Sequence, residues 1–161
     1  MKIKALIMDV DGTLTDGRVY IGSEGEMFKA FDIKDGYAIK HILPEIGCIP
    51  AIITGRVSKA VEIRAAELGI KHIYQGISDK LGLLDKICAE LGFLPEEAAY
   101  IGDDLNDLEI LKAVGLAVCP ADAVDEIREI SRYICRNNGG RGAVREFCDL
   151  LKHNGGSFVR D

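Results

Sequence analysis

Apolar residues recur along the chain in short runs that end at acidic or glycine-containing turns. The first run covers residues 5–8 and ends at Asp9, which is typical of a buried strand leading into a loop. The same pattern predicts further strands at residues 50–53, 72–74, 98–101 and 116–119. Apolar residues spaced three and four apart predict helices at residues 35–46, 57–68, 79–92, 105–113, 123–130 and 142–152. This alternation predicts a three-layer α/β fold, a doubly wound parallel sheet with helices on both faces.

Residues 18–33 break the alternation of strands and helices. Apolar and polar residues alternate there on both sides of Gly22-Ser23-Glu24-Gly25, a pattern that predicts a β-hairpin. Because it follows the first acidic turn, we expect the hairpin to project from the rim of the sheet. At the other end of the chain, the glycine-containing residues 154–161 predict a flexible tail.

Length and composition narrow the class of protein. A chain of 161 residues, 48% hydrophobic and 29% charged, predicts a single globular domain over residues 1–161. The net charge of −6 argues against binding to nucleic acid or to an anionic membrane, because both require a basic surface. The apolar run before Asp9 is too short for a signal peptide or a membrane span, so we expect a cytoplasmic protein. The five cysteines lack zinc-site spacing and are expected to be free, buried thiols.

The chemically distinctive residues follow separate strands. In a doubly wound sheet the ligand site lies beyond the carboxyl ends of the strands, so residues after different strands meet in one crevice. The residues brought together in this way are Asp9 and Asp11 after the first strand, Thr54 after the second, Lys80 after the third, and Asp103, Asp104 and Asp107 after the fourth. Carboxylates this close repel one another unless a cation is shared, and an all-oxygen set favours Mg²⁺, with Asp9 and Asp103 as direct ligands.

A magnesium site of this kind suits phosphoryl transfer. Asp9 is the candidate nucleophile, because a carboxylate can form an acyl-phosphate that divides one hydrolysis into two steps. Asp11 is the candidate acid and base, and its backbone carbonyl is placed to reach the metal. Gly12 allows a tight turn and a close approach of phosphate. Thr54 offers a hydroxyl to a phosphate oxygen, and Lys80 supplies a positive charge between nucleophile and phosphoryl group.

Each motif taken alone has an ordinary explanation as a turn or a helix cap. The whole set, in this order and with each part after its own strand, is improbable as a coincidence. A phospho-receiver signalling domain is the main alternative, but it has an adjacent acidic pair after the first strand, whereas Val10 separates Asp9 from Asp11 and the adjacent pair here is Asp103-Asp104. A catalytically silent interaction subunit is disfavoured because every chemical position is filled.

The order DxDGT, Thr, Lys and GDDxxD resembles the haloacid dehalogenase superfamily of phosphotransferases. The matching residues are Asp9, Asp11, Gly12, Thr13, Thr54, Lys80, Asp103 and Asp107. The resemblance implies that Asp9 is the nucleophile, that Asp11 is the acid and base, and that Asp103 completes the metal ligands with these two. It further implies that Asp104 and Asp107 support the metal shell from behind.

The segments DGTLTDG, TGR, HIYQGISDKL, AYIGDDLND and GGRGAVREFCDLL resemble the subgroup without a cap domain that acts on 3-deoxy-D-manno-octulosonate 8-phosphate. Residues 16–53 and 81–102, where caps are inserted in other members, are too short to hold one. The resemblance implies a homotetramer whose hairpins, residues 18–33 here, assemble centrally, with a neighbouring subunit covering each active site. It also implies a role in lipopolysaccharide biosynthesis.

Arginines are the candidates for binding a sugar-acid carboxylate, because a guanidinium presents a planar fork to it. The candidates are Arg56, Arg64, Arg141 and Arg145, and Gly12, Thr13 and Gly55 are expected to contact the substrate beside them. Arg56 favours the eight-carbon sugar acid, because some relatives that act on nine-carbon 9-phosphates carry Glu there. Asn106 departs from the DLPD common in the octulosonate enzymes, so the nine-carbon substrates stay open.

Overall fold

Residues 1–159, which the computed structural model describes, form a six-stranded parallel sheet and a separate two-stranded hairpin. The strands are β1 (Ala5–Met8), β2 (Tyr20–Gly22), β3 (Gly25–Phe28), β4 (Ile49–Ile53), β5 (His72–Tyr74), β6 (Ala98–Ile101), β7 (Leu116–Cys119) and β8 (Tyr133–Ile134). The order in the large sheet is β5-β4-β1-β6-β7-β8, with β1 hydrogen-bonded to both β4 and β6. The predicted doubly wound parallel sheet is therefore confirmed.

The helices lie between the strands and cover both faces of the sheet. They are α1 (Ile33–Tyr37), α2 (Leu43–Glu45), α3 (Lys59–Leu68), α4 (Lys80–Leu91), α5 (Leu108–Ala113), α6 (Asp125–Ile130) and α7 (Ala143–His153). A π-helical turn, Ala38–Ile42, joins α1 to α2 in one continuous helical segment. Among residues 1–159, no helix is long and apolar enough to cross a membrane.

The central strand β1 shows why its sequence is a continuous apolar run. Leu6 and Met8 pack into the core layer shared with α3 and α7, while Ala5 and Ile7 pack into the opposite layer with α4, α5 and α6. Successive side chains of a strand point to opposite faces, so a sheet covered on both sides needs apolar residues at every position. This double burial places the carboxyl end of β1 at the centre of the molecule, directly before Asp9.

The predicted element boundaries agree closely with the structure, with two informative differences. The helix expected from residue 35 begins at Ile33, because the Asp32 carboxylate caps it by accepting the backbone N–H groups of Lys34 and Asp35. Strand β8 was not predicted. It has only two residues and pairs with the edge of β7, which is too short to produce a periodic pattern.

The hairpin of β2 and β3 occupies the centre of the predicted segment 18–33. Its strands pair antiparallel with each other and form a sheet separate from the large one. Tyr20 stacks on Phe28 across the hairpin at 4.4 Å between ring centroids. Ile21 and Met27 lie mostly exposed to solvent, so a single chain leaves apolar hairpin side chains uncovered.

The first part of the tail predicted at residues 154–161 makes contacts with the beginning of the chain, and its flexibility stays a prediction. The backbone N–H of Ile3 donates to the Gly156 carbonyl at 2.9 Å, and that of Phe158 donates to the Met1 carbonyl at 2.8 Å. The Phe158 side chain is buried in the core layer that contains Ile3. Glycine gives this segment its turns, and the aromatic side chain packs against the core. Residues 160–161, the end of the predicted tail, lie outside the described residues.

Candidate active site

The loop after β1 folds back tightly on itself. The Val10 carbonyl accepts the backbone N–H groups of Thr13, Leu14 and Thr15 at 2.9–3.1 Å. Gly12 has φ of +88°, in the left-handed region that favours glycine, and a Cβ at this position would overlap the Asp103 carboxylate. The glycine is required for both reasons, and it brings the Asp9 loop against the loop that follows β6.

Three carboxylates meet at this edge of the sheet. Asp9, Asp103 and Asp107 each place an oxygen within 4.8 Å of the other two. Lys80, at the first position of α4, lies beneath them, with its Nζ 3.0 Å from Asp9 Oδ1 and 2.7 Å from Asp107 Oδ1. Both ion pairs are almost completely buried. Residues that follow three different strands are thus joined around one ammonium group.

Asp107 is fully engaged by neighbouring protein groups. Its Oδ1 accepts hydrogen bonds from Lys80 and from the Tyr100 hydroxyl, the latter at 2.6 Å. Its Oδ2 accepts the backbone N–H of Asp103 at 3.1 Å. The Asp103 carboxylate is held more loosely, by the Thr13 hydroxyl at 3.4 Å. Asp9 and Asp103 are therefore better placed than Asp107 to bind a cation directly.

The electrostatics of this cluster suit a divalent cation. Burial, and then the nearby Asp107 charge, raise the pKa of Asp9 to about 7, although Lys80 opposes the change. Burial, and then repulsion from Asp9 and Asp107, raise the pKa of Asp103 to about 8. A cation relieves such repulsion, and an oxygen-only donor set matches Mg²⁺. The residues present therefore fit the predicted magnesium ion.

Asp11 turns toward the hairpin rather than toward the other carboxylates. Its Oδ1 lies 2.6 Å from Lys29 Nζ, and Lys29 also pairs with Glu26 at 3.1 Å. Glu26 in turn accepts hydrogen bonds from Arg56 at 3.2 Å and from the Ser58 hydroxyl at 2.6 Å. The Ser58 hydrogen bond is the largest of the effects that lower the pKa of Glu26. An ionic network thus connects the hairpin to the candidate acid and base.

Sequence analysis did not identify Glu26, Lys29 or Tyr100 as parts of the site. Glu26 and Lys29 read as the polar positions of an alternating hairpin, and Tyr100 as one more member of an apolar strand. Their involvement depends on contacts across 18 residues for Lys29 with Asp11 and 20 residues for Tyr100 with Lys80. Contacts over such separations leave no local signal in the sequence.

A pocket of about 390 Å³ opens above the carboxylates. Its lining residues are Asp9, Asp11, Gly17, Thr54, Gly55, Arg56, Asp103, Asp104 and Asn106. Arg56 is half-exposed at this pocket, with its Nε 4.0 Å from Asp11 Oδ2. Gly12, Thr13 and Lys80 support the pocket from below through the contacts described above. The pocket thus combines a carboxylate floor with a cationic side chain on its wall.

Asp104 differs from its predicted position behind the metal shell. It is exposed, and its carboxylate accepts the backbone N–H of Leu105 at 2.7 Å, capping the short 3₁₀ turn Leu105–Asp107. Asp107 is the buried residue of the two, and it contacts Lys80 and Tyr100. Adjacent residues at a helix start point in different directions, so the adjacent pair 103–104 divides between the pocket floor and its rim.

The structure places two of the candidate arginines away from the pocket. Arg64 lies on α3 over the ring of Phe31 and pairs with Glu67 at 3.1 Å. Arg145 lies over the ring of Tyr37 and pairs with an aspartate one helical turn away on α7. These helix faces pack toward α1, so the structure corrects the expectation that Arg64 and Arg145 reach the substrate within one chain.

Arg141 lies on an exposed loop that flanks the site. The backbone N–H of Gly140 donates to the Thr13 carbonyl at 2.9 Å. A Cβ on Gly139 would overlap the Gly12 carbonyl oxygen, so the loop packs directly against the loop after β1. This packing places Arg141 near the candidate site, and its contact with substrate stays a prediction.

Comparison with known proteins gives consistent results. Residues 44–147 match the family model of haloacid dehalogenase-like hydrolases. The chain is 49% identical over 149 residues to the 3-deoxy-D-manno-octulosonate 8-phosphate phosphatase KdsC of Yersinia pestis, covering 92% of this chain and 79% of the relative. The identity to KdsC of Escherichia coli strain K12 is 50% over the same shares.

The chain is also similar in structure and sequence to a protein whose structure has been solved. The 3-deoxy-D-manno-octulosonate 8-phosphate phosphatase from Moraxella catarrhalis, crystallised with a magnesium ion, a phosphate ion and a KDO molecule, superposes with a TM-score of 0.89 at 44% identity. The match covers 96% of this chain and 89% of that protein. The likeness therefore extends over nearly the whole of this chain.

Proposed function

This chain belongs to the haloacid dehalogenase-like hydrolases, and we propose that it is the phosphatase that removes phosphate from 3-deoxy-D-manno-octulosonate 8-phosphate. The observation that carries the proposal is the buried Lys80 ammonium held between Asp9 and Asp107 below an open pocket. Two relatives that are 49% and 50% identical over 92% of this chain are named for the same substrate, which supports the choice of sugar acid.

Asp9 and Asp103 are the residues that would hold the magnesium ion, with the backbone carbonyl of Asp11 as the further predicted ligand. Asp107 is excluded from direct binding in this proposal because its oxygens accept hydrogen bonds from Lys80, Tyr100 and the Asp103 backbone. When bound, the ion neutralises charge on the phosphoryl oxygens and on the facing carboxylates.

In the first half of the reaction, an Asp9 carboxylate oxygen bonds to phosphorus while the bond from phosphorus to the sugar oxygen breaks. Asp11, in the protonated form that the second half of the reaction regenerates, gives its proton to that sugar oxygen. Because Asp11 lies 2.6 Å from Lys29, this transfer requires the carboxyl to turn from Lys29 toward the leaving group. Lys80 offsets the repulsion between the Asp9 carboxylate and the phosphoryl group.

In the second half, Asp11 acts as the base. It takes a proton from water, the water oxygen bonds to phosphorus, and the bond between phosphorus and Asp9 breaks, which releases phosphate and regenerates the carboxylate. Arg56, at the wall of the pocket, supplies the positive charge expected to bind the carboxylate of a sugar acid. Thr54 and Gly55 line the same pocket and are the predicted contacts of the phosphate.

The assembly and the setting of the enzyme also belong to this proposal. A homotetramer is supported by the apolar side chains that the hairpin exposes, among them Ile21 and Met27. The open pocket next to the hairpin is consistent with a neighbouring subunit as its cover. A cytoplasmic location and a role in lipopolysaccharide biosynthesis stay predictions from the sequence.

The proposed function is tested by phosphate release from a substrate panel. With Mg²⁺, the purified chain is expected to hydrolyse 3-deoxy-D-manno-octulosonate 8-phosphate with a kcat/KM at least about 10-fold above that for nine-carbon ulosonate 9-phosphates and hexose phosphates. EDTA should stop the reaction, and added Mg²⁺ should restore it. Asp9→Asn should lower kcat by about 10⁴-fold or more, because the nucleophile is lost.

Asp16→Asn is the matched control. Asp16 lies near the same loop, but its carboxylate accepts the backbone N–H of Arg18 instead of entering the carboxylate cluster. The control should retain nearly full activity. A preference for a nine-carbon 9-phosphate would move the assignment to those substrates, whereas full activity in Asp9→Asn would remove the covalent mechanism.

A further inference from the structure

Tyr100 places a polar group inside an otherwise apolar strand. Tyr100 lies in β6 and is completely buried. A buried tyrosine hydroxyl normally requires a hydrogen-bond partner. The hydroxyl finds two partners, donating to Asp107 Oδ1 at 2.6 Å and lying 3.1 Å from Lys80 Nζ. Both partners belong to the centre that holds Asp9. The hydroxyl is therefore integrated into the catalytic cluster rather than only into the core.

The donors and acceptors of this cluster can be counted. A lysine ammonium has three N–H donors and no acceptor. Lys80 has three acceptors in range, which are Asp9 Oδ1 at 3.0 Å, Asp107 Oδ1 at 2.7 Å and the Tyr100 oxygen at 3.1 Å. The Tyr100 hydroxyl has one proton to donate, and the Asp107 carboxylate has only acceptor oxygens. Tyr100 must therefore accept from Lys80 while it donates to Asp107.

We propose that Tyr100 is a positioning residue of the phosphatase reaction, whose hydroxyl fixes the rotation of the Lys80 ammonium so that one N–H points at the nucleophile Asp9. The proposal rests on the proposed function. Two of the three ammonium protons are held by Tyr100 and Asp107, so the direction of the third is determined. Fixed donors stabilise developing charge better than mobile ones, because they need not reorient during the reaction.

The same hydroxyl also acts on the opposite side of the cluster. Asp107 uses its other oxygen to accept the Asp103 backbone N–H. Tyr100 thus helps to hold Asp107 between Lys80 and the loop after β6. Loss of the hydroxyl removes one of the hydrogen bonds to Asp107 Oδ1 and leaves one buried Lys80 N–H without its acceptor. The aromatic ring, which fills the core around it, is not needed for either contact.

Tyr100→Phe separates the packing of the ring from the hydrogen bonds of the hydroxyl, because it keeps the ring and removes only the hydroxyl. We expect kcat to fall about 10-fold with KM changed less than about 2-fold, since the Lys80 orientation matters most in the transition state. Activity is measured with the sugar-acid phosphate and with p-nitrophenyl phosphate. Tyr133→Phe is the matched control, because its hydroxyl also donates to a carboxylate, that of Glu146 at 2.9 Å, outside the pocket. It should keep its kcat.

A spectroscopic measurement tests the positioning without turnover. The ¹⁵N ammonium signal of Lys80, assigned with Lys80→Arg, should show slowly exchanging protons in the wild type and faster exchange in Tyr100→Phe. An unchanged kcat, or an unchanged exchange rate at Lys80, overturns the proposal. A wild-type protein that hydrolyses neither compound contradicts the proposed function instead, and the exchange experiment still decides whether Tyr100 holds Lys80.

Discussion

Asp35 is a buried carboxylate that lies outside the pocket. Its Oδ1 accepts the backbone N–H of Arg145 at 2.8 Å, at the beginning of α7, and its Oδ2 has no hydrogen-bond partner among residues 1–159. Burial raises the pKa of Asp35 to about 6. Few hydrogen bonds therefore stabilise the negative charge of the Asp35 carboxylate, although its Oδ1 is needed as an acceptor at the beginning of α7.

The raised pKa predicts a specific pH dependence of stability. The unfolded chain releases this proton near pH 4 and the folded chain near pH 6, so the folded state binds more protons between these values. The contribution of Asp35 to the free energy of unfolding must then fall as pH rises through this window. Asp35→Asn keeps the acceptor and cannot ionise, so its stability relative to the wild type should rise by about 2–3 kcal/mol from pH 4 to pH 7.

Urea unfolding in EDTA at several pH values measures this difference. Asp32→Asn serves as the control, because it removes the same charge from the half-buried residue that caps α1. Its effect on the free energy of unfolding should stay below about 1 kcal/mol at every pH. Parallel pH curves for the wild type and Asp35→Asn would show that the buried carboxylate is better solvated than its surroundings indicate.

The loop at residues 139–142 acts as a support for the loop after β1. Gly140 donates its backbone N–H to Thr13, and Gly139 donates to the Asp122 carboxylate at 2.9 Å. The two glycines approach the backbone of residues 12–15 so closely that a Cβ on either would overlap it. Close packing of this kind transmits a small displacement directly to its neighbour.

Gly139→Ala is therefore expected to affect activity as well as stability. The added methyl group must push on the Gly12 carbonyl and shift the loop that carries Asp9 and Asp11, the proposed catalytic residues, and a small misplacement there should lower kcat/KM about 10-fold or more. Gly115→Ala is a matched control, because its Cβ would overlap the Glu96 carbonyl at the opposite end of the strands. Steady-state kinetics at a temperature where both variants are folded, with thermal melting alongside, distinguishes the two effects. Equal kcat/KM in both variants would contradict the link between the loops.

At the scale of the whole molecule, the hairpin is the feature that a single chain leaves incomplete. A two-stranded hairpin is marginally stable alone, and this one exposes Ile21 and Met27 at 64% and 66%. Burial of these side chains against other copies of the chain would remove apolar surface from water at about 25 cal/mol per Å². This is the physical basis of the proposed tetramer.

A double substitution, Ile21→Glu with Met27→Glu, should dissociate the proposed tetramer. Light scattering after gel filtration is expected to give the mass of four chains for the wild type and that of one, 17.5 kDa, for the variant. Leu94→Glu is the control, because Leu94 is exposed to a similar extent, 62%, but lies before β6, away from the hairpin. A wild type with the mass of one chain, or a variant that keeps four, would contradict the proposed assembly.

The sequence by itself determined the order of the elements and the residue types of the site. Strands buried on both faces are predominantly apolar, so the sequence predicts β1, β6 and β7 with their observed bounds. The residues that follow the carboxyl ends of parallel strands must meet at one edge of the sheet, and for this reason the sequence alone predicts that Asp9, Lys80 and Asp103 lie together.

Only the tertiary structure decided how these residues divide their roles. The sequence treated Asp104 and Asp107 alike, but the fold buries Asp107 against Lys80 and Tyr100 and leaves Asp104 at the rim. In the folded chain Asp11 pairs with Lys29, and Arg64 lies over the ring of Phe31 beside α1. The direction of a side chain depends on contacts with residues distant in sequence, and a pattern of residue types along the chain does not contain them.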